Sequence, residues 1–169
     1  MEEPNTAASS ESRIVVGVDG SPESVLALRW AAALAPTLGA QITAVTAWHF
    51  ETVVGPYAAT EWDPEADATD ALTDALAEAF GDEPPKGLRS QCRRGNPAQV
   101  LIDAGRTARM IIVGSRGHGG FAGLLLGSVS QACVEHATCA VLVVHRGTSA
   151  PVAAAAAPGQ ETGEPVHNR

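Results

Sequence analysis

Residues 114–128 read GSRGHGGFAGLLLGS, with six glycines, and follow directly on the apolar run Met110-Ile111-Ile112-Val113. Glycine lets backbone N–H groups approach a ligand closely and adopts backbone angles that other residues resist. An apolar strand, a glycine-rich loop and a helix start in succession make an anion cradle, because exposed amides and the helix dipole both favour phosphate. The outer glycines stand as Gly114, two residues, Gly117, nine residues, then Gly127-Ser128. Arg116 and His118 are either cations for phosphate charge or solvated loop residues, with the two readings evenly matched. A second candidate is Asp19 in Asp19-Gly20-Ser21-Pro22, far upstream. A lone Asp at a turn satisfies loop amides more often than it meets a ligand.

Regular elements must hold these residues. Ile14-Val15-Val16-Gly17-Val18 is a short β-branched run suited to a parallel strand covered on both faces. Ser21 as N-cap, Pro22 as first helical residue, Glu23 in the first turn and Gly39 as stop predict a helix over 22–38. Its apolar stripe is Val25, Leu28, Ala32 and Ala35, and Pro36 costs little if the helix frays there. Ile42 to Trp48 is a second strand, followed by a largely irregular segment. Asp63-Pro64 opens a second helix over about 64–80, with Leu72, Ala75 and Leu76 inward. Leu88 to Arg93 alternates as a half-buried edge strand would. Asn96-Pro97 starts a third helix, Met110 to Val113 is the fourth strand, Ser128 to His136 the fourth helix, and Ala140 to Val144 the fifth strand.

Composition narrows the function classes. Lys+Arg 11 against Asp+Glu 19 gives a net charge of −8 with no basic stripe, which argues against nucleic acid and anionic membranes as partners. Trp48, Tyr57 and Trp62 are too scattered for base stacking on a nucleic acid. No apolar run approaches ~18 residues, and MEEPNTAASSES is acidic where a signal peptide is basic and then apolar, so a cytoplasmic protein is expected. Cys92, Cys133 and Cys139 lack CxxC spacing and read as small apolar residues. No histidine pair has metal spacing; His136 and His145, beside element ends, cap or face solvent. Residues 1–12 read as a flexible leader, 13–146 as one nucleotide-binding domain, and 147–169 as a disordered Ala/Pro-rich tail.

Five strands alternating with four helices imply an α/β fold: a five-stranded parallel sheet of order 3-2-1-4-5 with helices on both faces, Rossmann-like. In such sheets ligands sit beyond the carboxyl ends of the strands where the winding reverses, between strands one and four. Asp19 and the glycine stretch then line one pocket, which favours the ligand reading of Asp19.

The glycine pattern, the opening VGVDGS, the Gly95-Asn96-Pro97-Ala98 turn and the closing VLVVH together resemble the ATP-binding subfamily of the universal stress proteins, over roughly residues 13–146. The resemblance implies that Asp19 contacts ribose or adenine, that Ala47 meets adenine through its backbone, and that Val113 and Gly114 face base and ribose. It implies that Gly117, Gly127, Ser128 and Val129 hold the phosphates, with Ser128 assisting a Mg²⁺ ion; Arg116 joins them as a candidate phosphate cation. The family often has an acidic residue before strand four, where this chain has Arg109, which puts a structural salt link in doubt. Both the resemblance and the exposed apolar edge of strand five, Val141 to Val144, point to a homodimer.

Other chemistries fit less well. Gly117-His118-Gly119-Gly120-Phe121-Ala122 matches GxGxxG/A, but the fingerprint normally follows the first strand with an acidic residue ~20 positions on. No Walker A lysine is present, and Gly114-Ser115-Arg116-Gly117 is one residue short of GxSxG, leaving Ser115 a turn residue. Phe121 and Leu124 to Leu126 read as a hydrophobic plug beneath the loop in preference to a lid or partner surface. Hydrolysis needs a group to orient water and an electrophile at the γ-phosphate, and no assembled set stands out. The expected function is a nucleotide-dependent regulator in stress response, binding ATP with slow or no hydrolysis and acting on an unidentified protein partner. The alternatives are a dimeric interaction protein without a physiological nucleotide and an ATP-using nucleotidyl-transfer enzyme. The intact glycines disfavour the first, and Asp19-Gly20-Ser21-Pro22 in place of an SGGxDS loop disfavours the second.

Overall fold

The structure, a computed structural model, describes residues 12–49, 63–117 and 125–150. The chain runs β1 (Arg13–Gly17), α1 (Pro22–Leu38), β2 (Gln41–Trp48), α2 (Pro64–Phe80), β3 (Arg89–Arg94), α3 (Pro97–Gly105), β4 (Met110–Gly114), α4 (Ser128–His136) and β5 (Ala140–Val144). The strands form one parallel sheet of order β3-β2-β1-β4-β5, as expected. Most of the expected leader and tail, the segment with Tyr57 and Trp62, and His118 to Leu124 lie outside the described residues. Among the described residues no helix is long and apolar enough to cross a membrane.

Alternation along the strands sorts the core onto two faces. Ile14, Val16, Ile42, Ala44 and Ile112 pack under α1 and α2. Val15, Val45, Ile111 and Val113 pack under α3 and α4. Full burial of a side chain such as Leu28, which is 0% exposed, contributes about 1.5–3 kcal/mol. On α1 the buried stripe includes Ala27 and Ala31 as well as Val25, Leu28 and Ala35, while Ala32 is half-buried.

Three helices begin on a side-chain cap. Ser21 Oγ accepts the Ser24 N–H at 3.2 Å, Asp63 Oδ1 accepts those of Glu65 and Ala66 at 3.1 Å, and Asn96 Oδ1 accepts that of Gln99 at 3.2 Å. α1 runs past Pro36 to Leu38 and stops at Gly39, whose φ of 55° closes bonds to Ala35 and Pro36. Arg109, the departure from the family pattern, donates Nη1 to the Leu38 carbonyl at 3.4 Å, so the cation meets the negative end of α1.

Two boundaries differ from expectation. β1 stops at Gly17, although Val18 stays tied to β2 through its N–H on the Val45 carbonyl at 2.9 Å and its carbonyl under Thr46 Oγ1 at 2.8 Å. β3 shows no alternation: only Gln91 and Cys92 are half-buried, and the rest is exposed. Among the described residues it pairs with β2 alone, so one hydrogen-bonding edge of this outermost strand is left open.

Cys133 is 0% exposed between α4 and the sheet, and burial, with a smaller contribution from Cys139, pushes its thiol from 9.0 up to about 11. The folded state thus holds this proton more tightly than the unfolded chain. Its contribution to stability is full below pH 9.0 and falls away as pH rises towards about 11. In native protein at pH 8, iodoacetamide is expected to alkylate Cys92 well before Cys133, as read by peptide mass mapping. Equal rates would contradict this burial.

Candidate functional site

The chain leaves β1 for α1 on one face of the sheet and leaves β4 for α4 on the other, so a crevice opens between the carboxyl ends of these neighbours. A cavity of about 650 Å³ occupies it, a size usual for small-molecule sites. All nine residues singled out in the sequence line it: Asp19, Ala47, Val113, Gly114, Arg116, Gly117, Gly127, Ser128 and Val129. Gly17, Val18, Ser24, Val45, His49, Pro97, Leu101 and Ser130 complete the wall and were missed. Val45 and Val113 share a sheet face, and Leu101 projects onto it from α3. Strand alternation with the strand order was the signal that could have found Val45.

Asp19 is held in one orientation. Its Oδ1 accepts the Ser21 N–H at 3.0 Å and the Ser21 hydroxyl at 2.6 Å, and Ser21 Oγ in turn accepts the Ser24 N–H. The turn reading of Asp19 is therefore correct for Oδ1. Oδ2 lies against Gly117, where a Cβ would overlap it, so the same carboxylate also stands at the cavity wall.

The three outer glycines differ in what requires them. A Cβ at Gly114 would come within 2.7 Å of Glu23 Cβ, and one at Gly117 would overlap Asp19 Oδ2. A Cβ at Gly127 would meet its nearest neighbour, the Ser115 carbonyl oxygen, at an ordinary 3.5 Å. None of the three has a positive φ. Of the two reasons expected for glycine, unusual backbone angles do not apply, and close approach does, here to Glu23 at Gly114 and to Asp19 at Gly117.

The amides at the start of α4 complete the polar wall. The Gly127 N–H is taken by the Ser115 carbonyl at 2.7 Å, and Gln131 N–H is the first to bond back within the helix, to Gly127 at 2.9 Å. Helix geometry leaves the N–H groups of Ser128, Val129 and Ser130 without intrahelical acceptors. Unlike α1, α2 and α3, α4 has no side-chain cap. The start of α4, through Gly127 to Ser130, lines the same cavity as the apolar side chains Val45, Leu101 and Val113, and Gly17, where a Cβ would meet Leu101 Cδ1 at 2.8 Å, lets Leu101 pack close to β1. Such a site suits an anion joined to a flat, weakly polar group.

The remaining candidates play local parts. Ser115 is buried in a bend, its N–H on the Val144 carbonyl at 2.6 Å. His136 and His145 are exposed at element ends, as expected. Glu23, in the first turn of α1, pairs with Arg146 beyond β5 at 2.8 Å. Among the described residues no three His, Cys, Asp or Glu side chains converge as a metal site.

Residues 11–145 match the model of the universal stress protein family. A universal stress protein of Mycolicibacterium smegmatis is 36% identical over 149 residues, covering 82% of this chain and 49% of its own length. The chain thus spans about half the length of the curated relatives it matches. Among solved structures, the universal stress protein UspA from Lactobacillus plantarum superposes with a TM-score of 0.64 at 22% identity, covering 79% of this chain and 97% of that one. A universal stress protein crystallised in complex with cAMP superposes with a TM-score of 0.54 at 24% identity, covering 81% and 99%. These structures share the fold.

The glycine geometry sets an expected outcome. Gly117→Ala must displace the Asp19 carboxylate and is expected to cost about 1–3 kcal/mol in denaturant unfolding. Gly127→Ala, with φ −77° and an ordinary Cβ contact, is expected to change stability by less than about 1 kcal/mol. Equal losses at both positions would contradict the distinction.

Proposed function

The chain belongs to the universal stress protein family, and from that premise we propose that it is a nucleotide-dependent regulator in stress response whose ligand is ATP. The observation that carries this reading is that the uncapped start of α4 lines one cavity together with the apolar Val45, Leu101 and Val113. In this reading the phosphates take the amides of Ser128, Val129 and Gly117, and they supply the cap that α4 lacks. The base lies along Val45, Leu101 and Val113 near Ala47, and Asp19 Oδ2 accepts from the ribose. The Ser128 hydroxyl is the group available to a Mg²⁺ ion, which would neutralise phosphate charge beside Asp19.

Binding with slow or no hydrolysis is the activity proposed. One oxygen of Asp19, the carboxylate at the cavity wall, is already committed to Ser21, which weakens it as a water-orienting base. The outer edge of β5, paired on its other side with β4, is the proposed dimer contact, and nucleotide occupancy acts through it on a protein partner. A second reading, an adenosine monophosphate or cyclic nucleotide, is favoured by the cAMP complex of a protein of this fold.

Mass spectrometry of nucleotide released from denatured protein, with titration of ATP, AMP and cAMP, tests the proposal. ATP is expected to bind most tightly, and Gly127→Ala to weaken it about tenfold or more by crowding the amides that face phosphate. Tighter binding of AMP or cAMP supports the second reading. Absence of any adenine nucleotide, bound or released, would refute both.

A further inference from the structure

The loop that leaves β4 at Ser115 and returns at Gly127 is closed on a single carbonyl. Ser115 O accepts the Gly127 N–H at 2.7 Å and lies 3.0 Å from Ser130 Oγ. The same Oγ lies 3.0 Å from the Gly127 carbonyl. A serine bonded only to the carbonyl three residues back would be an ordinary helix serine. Here the hydroxyl, 2% exposed, shares its one proton between both ends of the loop. Ser115 is itself anchored to β5 through its N–H on Val144. The clasp therefore fixes the first turn of α4, whose residues line the cavity, to the end of the sheet.

We infer that Ser130 is a positioning residue: its hydroxyl sets the direction of the Ser128 and Val129 amides relative to Gly117, and so determines how well the cavity holds a phosphate chain. This rests on the nucleotide reading above. The Ser130 side chain acts through the Ser115 carbonyl and the α4 backbone, so its loss acts on the phosphate-facing part of the site and spares the apolar wall. Removing the hydroxyl leaves the Gly127–Ser115 bond, so α4 still forms but its first turn is free to tilt.

The test compares the full chain with Ser130→Ala and Ser130→Thr, the latter keeping a hydroxyl that bonds back in helices. Affinities for ATP and for adenosine are measured together with hydrogen exchange of the Gly127 amide in nucleotide-free protein. Ser130→Ala is expected to bind ATP about tenfold more weakly, to keep adenosine affinity within about twofold, and to speed exchange at Gly127. Ser130→Thr is expected to restore ATP affinity. Unchanged ATP affinity in Ser130→Ala, or equal losses for ATP and adenosine without rescue by Ser130→Thr, would overturn the inference. If the unaltered chain binds neither ligand the nucleotide reading fails, while unchanged Gly127 exchange in Ser130→Ala separately overturns the clasp. Should Ser130→Ala fail to fold, Ser130→Cys, of similar size and a weaker donor, carries the same comparison.

Discussion

The pairing of β1 with β4 is the contact on which the molecule depends. Ile14, Val15 and Val16 lie beside Met110, Ile111 and Ile112 in parallel register. Parallel strands cannot be joined by a tight turn, so this pairing waits on the crossovers through α1, α2 and α3. Once formed, it divides the sheet: α1 and α2 cover one face, α3 and α4 the other. The crevice is where that division reaches the carboxyl ends of the two strands. Its position is thus a result of winding direction, and the residues around it are those that end β1, β2 and β4 together with parts of α1, α3 and α4.

Within the crevice, backbone groups are allotted economically. Asp19 spends one oxygen on the turn that starts α1 and presents the other at Gly117. Ser115 gives its carbonyl to Gly127 and Ser130 and its N–H to Val144. The first turn of α1 is capped and buried, with Glu23 under Gly114 and tied to Arg146. The first turn of α4 has no side-chain cap and lines the cavity. Two helix starts of opposite character thus flank the same strand end, one with a side-chain cap and one without.

Much of this was legible in the sequence because local chemistry and global winding agree. Ser21-Pro22, Asp63-Pro64 and Asn96-Pro97 each announce a helix by a mechanism that the hydrogen bonds reproduce. Five parallel strands alternating with helices admit few orders once crossovers must be right-handed. β3 was harder, since an edge strand with arginine at both ends carries no burial pattern to read. Pro97 and Leu101 join the cavity wall only because α3 lies across the carboxyl end of the sheet face, which no local signal reports. Ser130 has the sequence signature of any helix serine; its bond to Ser115 exists because the loop returns to the strand end it left.

The central claim is that the end of β4 and the start of α4 hold phosphate while the ends of β1 and β2 meet the rest of one adenine nucleotide. Backbone amide NMR of the isotope-labelled chain during ATP titration tests it residue by residue. The largest shifts are expected at Gly117, Ser128 and Val129, with smaller ones at Asp19 and Ala47 and little change along the outer helix α2. Shifts confined to β3 or to the outer edge of β5, with the α4 amides unmoved, would contradict it.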